Sequence, residues 1–127
     1  MIAVCLLVSG VVAASIPASV FTLGWRHSIE KTRWEERYRV EHGNLVLVQA
    51  RIEALGAGME PPTDARLIDG WWTWKPSLAP LPELRITRSD FTQDYDLCWN
   101  GRCSALQALV GPAPKGGDVV TVRPCPR

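Results

Sequence analysis

Between Ser19 and Ala54 apolar and polar side chains exchange places every second residue, three times in succession. In the first segment Phe21, Leu23, Trp25, His27 and Ile29 share one side, with Thr22, Gly24, Arg26 and Ser28 on the other. Trp34, Glu36, Tyr38 and Val40 then alternate with Glu35, Arg37, Arg39 and Glu41. After a His42-Gly43-Asn44 turn, Val46, Val48, Ala50, Ile52 and Ala54 alternate with Leu47, Gln49, Arg51 and Glu53. A period of two belongs to strands with one covered face. Three such segments with short breaks predict an antiparallel meander.

The remainder of the chain extends this pattern. Gly56-Ala57-Gly58-Met59 closes the meander, and Pro61-Pro62 prevents its simple continuation. Asp69-Gly70 leads into the aromatic strand Trp71-Trp72-Thr73-Trp74, and a connector carrying Pro76, Pro80 and Pro82 precedes a strand around Leu84-Arg85-Ile86-Thr87. Tyr95 to Cys103 reads as a hairpin, Ser104 can cap a short helix over 105–110 with Gly111 as its stop, and 118–123 forms the last strand. The predicted fold is all-β, an antiparallel β-sandwich or partly closed barrel of about seven or eight strands with one short helix near the C-terminus. At 127 residues the chain supports one domain. Its 14 Lys and Arg against 13 Asp and Glu lack the basic stripe of a nucleic-acid binder, so no nucleic acid is expected.

The first charged side chain is Arg26, and 2–14 is a tight apolar run, IAVCLLVSGVVAA. Its length suits a signal peptide and is short for a membrane span. The expectation is therefore a signal peptide or N-terminal anchor over 1–14 and a single β domain over 15–127, with membrane contact only through the apolar segment. A buried first strand is the remaining alternative. Cysteine spacing supports export. Asn100-Gly101 is a strong signal for a two-residue turn with both residues at positive φ, and such a turn places Cys98 opposite Cys103. The pair is then close enough for a disulfide, which needs an oxidising compartment. Cys125 is left over and could replace either partner, because the last strand can run alongside.

Folding the first two segments about Lys31-Thr32 would set Trp25 against Tyr38 and His27 against Glu36, apolar face to apolar face. An imidazole and a carboxylate on a greasy face are expected to pair, since burying either alone is costly. The pair could pin the register, hold a ligand or a metal, or move a proton. No nucleophile elbow or Ser-His-Asp arrangement supports hydrolysis, so no catalytic residue is assigned and no cofactor is expected. The Gly56-Ala57-Gly58 corner lacks the helix that a phosphate cradle requires. Arg and Glu on the other side of the second segment read as a solvated surface.

FTLGWRHSIEKTRWEERYRV, GAGMEPP, LCWNGRC and the cysteine near the C-terminus together resemble a family of small bacterial proteins, number eighteen-fifty in the series of domains of unknown function. The matching motifs are His27-Ser28-Ile29-Glu30, Trp34-Glu35-Glu36 and Gly56-Ala57-Gly58, and the resemblance covers most of the chain after about Val20. Members of that family often lie beside tripartite (TRAP-type, TAXI-class) organic-acid transporters. The resemblance thus implies an accessory domain in the periplasm, or anchored to the outer face of the cytoplasmic membrane, with transporter components or an organic acid as partner. His27, Glu30, Trp34, Glu36, Gly56, Ala57 and Gly58 form the expected binding patch. The alternatives are a small periplasmic enzyme or metal site built on His27 with Glu30 or Glu36, and a purely structural adaptor.

Overall fold

The computed structural model describes residues 2–26, 31–54 and 61–126. They form two antiparallel sheets and one short helix, α1 (Leu106–Val110). The four-stranded sheet contains β1 (Ile2–Val8), β2 (Val11–Ile16), β8 (Leu84–Arg88) and β11 (Asp118–Pro126), in the order β2-β1-β11-β8. The seven-stranded sheet contains β3 (Val20–Arg26), β4 (Arg33–Glu41), β5 (Asn44–Glu53), β6 (Arg66–Ile68), β7 (Trp71–Trp74), β9 (Asp96–Trp99) and β10 (Arg102–Ala105). Its order is β10-β9-β3-β4-β5-β7-β6. Val4, Leu6, Val120 and Val122 from the first sheet, and Phe21, Leu23, Leu45 and Leu97 from the second, fill the core between them. The fold is thus an all-β sandwich with one short helix, as the alternation predicts, and not a closed barrel.

Four hairpins turn on one device. Ser9-Gly10, His42-Gly43, Asp69-Gly70 and Asn100-Gly101 each place two consecutive residues at positive φ, between 50° and 85°. This is the mirror-image turn whose twist matches that of paired strands. The helix starts differently from expectation: Ser104 lies in β10, and the Asp94 carboxylate accepts the Gln107 backbone N–H. Gly111 ends the helix at positive φ.

The strand count exceeds the expected number because of β1, β2 and β6. The apolar run expected as a signal peptide or anchor is here the β1–β2 hairpin, so the described β domain includes residues before Ser15. The physical reason lies in burial. Ala3 to Leu7 are all buried, although successive side chains point to opposite faces. A strand covered on both faces reads as an unbroken apolar run, and composition alone does not separate it from an export signal. Cys5 is joined to Cys125 on β11, while Cys98 is joined to Cys103 as the turn spacing predicts.

A second departure lies in β5. A bulge opposite Arg37 and Tyr38 pairs Arg37 with Gln49 but Tyr38 with Leu47. The extra residue shifts the alternation, so Leu45, Leu47, Ala50 and Ile52 all face inward. Strict period two would have sent Leu47 to the outer face.

Candidate functional site

The hairpin of β3 and β4 sets the geometry of the expected patch. Its ladder pairs Phe21 with Tyr38, Leu23 with Glu36 and Trp25 with Trp34. The expected register about Lys31-Thr32 is therefore corrected: Glu36 lies opposite Leu23, not opposite His27. Apolar matching fixes which face a strand presents but allows slips of two or four residues. Aromatic pairs decide between those registers here. The Phe21 and Tyr38 rings stack at 5.4 Å and the two indoles of Trp25 and Trp34 at 6.2 Å.

His27, Glu30, Gly56, Ala57 and Gly58 lie outside the described residues. The strand ends on either side of them converge. The Glu53 carboxylate accepts the Arg33 backbone N–H at 2.7 Å and faces the Arg26 guanidinium at 3.4 Å, while Arg26 also donates to the Lys31 carbonyl. One carboxylate thus gathers the ends of β3, β4 and β5 at a single rim of the seven-stranded sheet.

Trp34 and Glu36 stand at this rim on the core-facing side. Trp25 bridges the Trp34 indole and Tyr95, whose ring is 6.0 Å away. Glu36 accepts a hydrogen bond from the Tyr38 hydroxyl at 2.8 Å. Burial, then the charge of Glu36, push the Tyr38 phenol upward, and burial with Glu36 and Asp94 does the same to Tyr95. Both phenols therefore stay protonated, which makes them hydrogen-bond donors rather than bases. The Thr32 hydroxyl and the Trp34 indole N–H are buried with no hydrogen-bond partner among the described residues. Unsatisfied buried donors are uncommon in folded domains. Thr32, Tyr38 and Tyr95 were not among the expected site residues. Tyr38 was legible as the same-face neighbour two places beyond Glu36, whereas Tyr95 arrives by long-range packing that no local pattern announces.

The opposite face of the same sheet is not the loosely solvated surface expected. Arg33 reaches over Gly24, where a Cβ would collide with its guanidinium, to meet Asp96 on β9 at 2.9 Å. Glu35 receives Arg33 on one oxygen and Arg51 on the other, and Arg51 lies 4.0 Å from the centre of the Trp71 ring. A charged ladder therefore runs across β9, β3, β4, β5 and β7. Burial pushes the Glu35 carboxyl upward, but the two arginine hydrogen bonds outweigh it and hold the group below its ordinary value.

In the other sheet, the Arg88 side chain is almost fully buried and forms a two-pronged pair with Asp118 at 2.8 Å for each prong, while also donating to the Gly111 carbonyl. This is a clasp between β8 and β11, with the geometry of a structural pair.

Among the described residues no group of three His, Cys, Asp or Glu side chains is placed to hold a metal. Nor is any described helix long and apolar enough to cross a membrane. Two disulfides in a chain of this size indicate folding in an oxidising, extracytoplasmic compartment. No curated protein and no solved structure matches the chain. A family profile matches residues 21–106, which run from β3 to the first residue of α1 and take in all of β4 to β10. The chain belongs to the family described as a domain of unknown function, DUF1850.

Proposed function

We propose that this domain is a non-enzymatic accessory of a TRAP-type organic-acid transporter, acting in the periplasm by handling the ligand or by contacting the solute-binding protein. The observation that carries this reading is the rim of the seven-stranded sheet. There the stacked Trp25 and Trp34, the protonated Tyr95 and two buried donors, Thr32 Oγ1 and Trp34 Nε1, stand together without an acceptor among the described residues. Aromatic side chains with a polar tip are the groups that anchor recognition surfaces. The Tyr95 hydroxyl supplies a hydrogen bond to a carboxylate or to a partner's backbone carbonyl, and the two shielded donors serve a group that enters the buried rim. The protonated phenols and the tyrosine-bound Glu36 argue for binding over proton transfer.

The test is titration of the disulfide-bonded domain with C4 and C5 dicarboxylates, and separately with the transporter's solute-binding protein, by calorimetry. The reading expects saturable binding in one of the two titrations, weakened about tenfold by Trp34→Phe, which keeps a ring and removes the N–H. Heat absent from both titrations would refute it.

A further inference from the structure

The two sheets end in β2 and β8 on one side of the sandwich and in β10 and β6 on the other. The outer edge of such a strand offers backbone N–H and C=O groups to any further strand, and a charged side chain is the common guard against that addition. Three of these edges have the guard: Arg85 on β8, Arg102 on β10 and Arg66 on β6, each exposed. β2 has none. Val11-Val12-Ala13-Ala14-Ser15-Ile16 contains neither charge nor proline, and among the described strands it pairs with β1 alone. Val11 and Val12 are 67% and 53% exposed, and Ala13 and Ser15 are exposed beside them. The bulge that leaves Ala13 unpaired bends the strand without covering it.

The surface next to β2 lacks charge as well. α1 packs against β1 and β2, with Leu106 buried and Gln107 and Ala108 exposed. No charged side chain occurs in 103–114, which carries the helix, or in 11–25, which carries β2. Two stretches remote in sequence thus meet along one side of a chain that has 14 Lys and Arg and 13 Asp and Glu. Depletion of charge marks the centre of an association surface. The free backbone edge specifies a strand as its occupant. The missing charge points to which strand. In an antiparallel pair about a two-fold axis, a charge near the middle of the strand faces its own copy and is repelled. β2 escapes that repulsion, whereas the arginine-bearing edges do not.

We propose that two copies of this chain associate through their β2 strands, antiparallel, joining the two four-stranded sheets into one, with α1 of each copy beside the seam. The surface involves neither Trp34 nor Tyr95 and stands apart from the transporter reading. The experiment is sedimentation velocity, with amide hydrogen exchange, on the full disulfide-bonded chain from about 10 µM to about 1 mM. A reversible monomer–dimer equilibrium is expected, with the β2 amides gaining protection as the concentration rises. Val12→Lys with Ser15→Lys should weaken association at least about tenfold, and so should Val12→Glu with Ser15→Glu. An equimolar mixture of the two variants should regain a dimer holding one copy of each, which also shows that both are folded. Phe91→Ser removes a ring that is 90% exposed on the loop between β8 and β9, and should leave association unchanged. A chain that stays monomeric throughout, with unprotected β2 amides, would overturn the homodimer and leave the edge to a strand of another protein. A dimer that survives the lysine variant, one abolished by Phe91→Ser, or a variant mixture that stays monomeric would overturn it too.

Discussion

In the four-stranded sheet the first strand pairs with the last, and Cys5–Cys125 closes that contact across 120 residues of chain. In the seven-stranded sheet Cys98–Cys103 closes a hairpin across only five. The non-covalent ties follow the same division. Arg88 and Asp118, 30 residues apart, clasp β8 to β11 through a guanidinium that is almost fully buried, whereas Arg33, Glu35 and Arg51 form a partly buried ladder over neighbouring strands. A sheet assembled from strands some 120 residues apart must overcome a large loop-closure entropy, and a meander closed by two-residue turns hardly meets that cost. The strong ties sit where the entropic opposition is greatest.

Substitutions can break this contrast in graded steps. Replacing Cys5 and Cys125 together by Ser should cost about 4–5 kcal/mol in the chain-entropy account, seen as the largest fall in the denaturation midpoint under non-reducing conditions. Asp118→Asn takes the paired charge from the buried Arg88 guanidinium, leaving it the Gly111 carbonyl and the field of Asp94, and should cost about 3 kcal/mol in the same assay. The double replacement of Cys98 and Cys103 by Ser should cost only about 2 kcal/mol, because the bond closes so short a loop. A hairpin disulfide worth as much as the long-range one would break the comparison. Glu35→Gln keeps an acceptor oxygen for two arginines that stay partly solvated, and should cost about 1 kcal/mol, with salt reducing the difference between the variant and the parent.

The pH dependence sharpens the same contrast. The two-pronged hydrogen bond from Arg88 holds the Asp118 carboxyl below its ordinary value, and Glu35 is lowered as well. A carboxyl depressed on folding contributes stability above its unfolded pKa and loses it as the pH falls through the folded value. Stability should therefore hold from neutral pH down to about pH 5 and decline below about pH 4. Asp118→Asn should flatten that acid limb more than Glu35→Gln does, as read by urea titrations at pH 3, 5 and 7.

What could be read from the sequence divides along the same line. Strand alternation, the Asn100-Gly101 turn and the Cys98–Cys103 bond are local, and local spacing placed them correctly except in β5 before its bulge, where Leu45 and Leu47 take the inner face. The β1–β11 pairing and its disulfide are not local. Cys5 lies inside a run whose apolarity came from burial on both faces, and that quality resembles an export signal. The hairpin register failed for a narrower reason: parity matched, but the choice among even-numbered slips, here one of four residues, belonged to the Phe21–Tyr38 and Trp25–Trp34 stacks. Of the candidate patch, Trp34 and Glu36 share a face as the alternation requires. The Tyr38 partner of Glu36 and the reach of Arg33 over Gly24 emerge only once the register is fixed.

The most direct measurement is non-reducing peptide mapping, by mass spectrometry, of the protein recovered from the cells that make it. If the first strand is locked to the last, a Cys5–Cys125 linked peptide appears beside a Cys98–Cys103 one, with no free thiol. A polypeptide beginning at Ser15, with Cys125 unpaired, would contradict the account at its root.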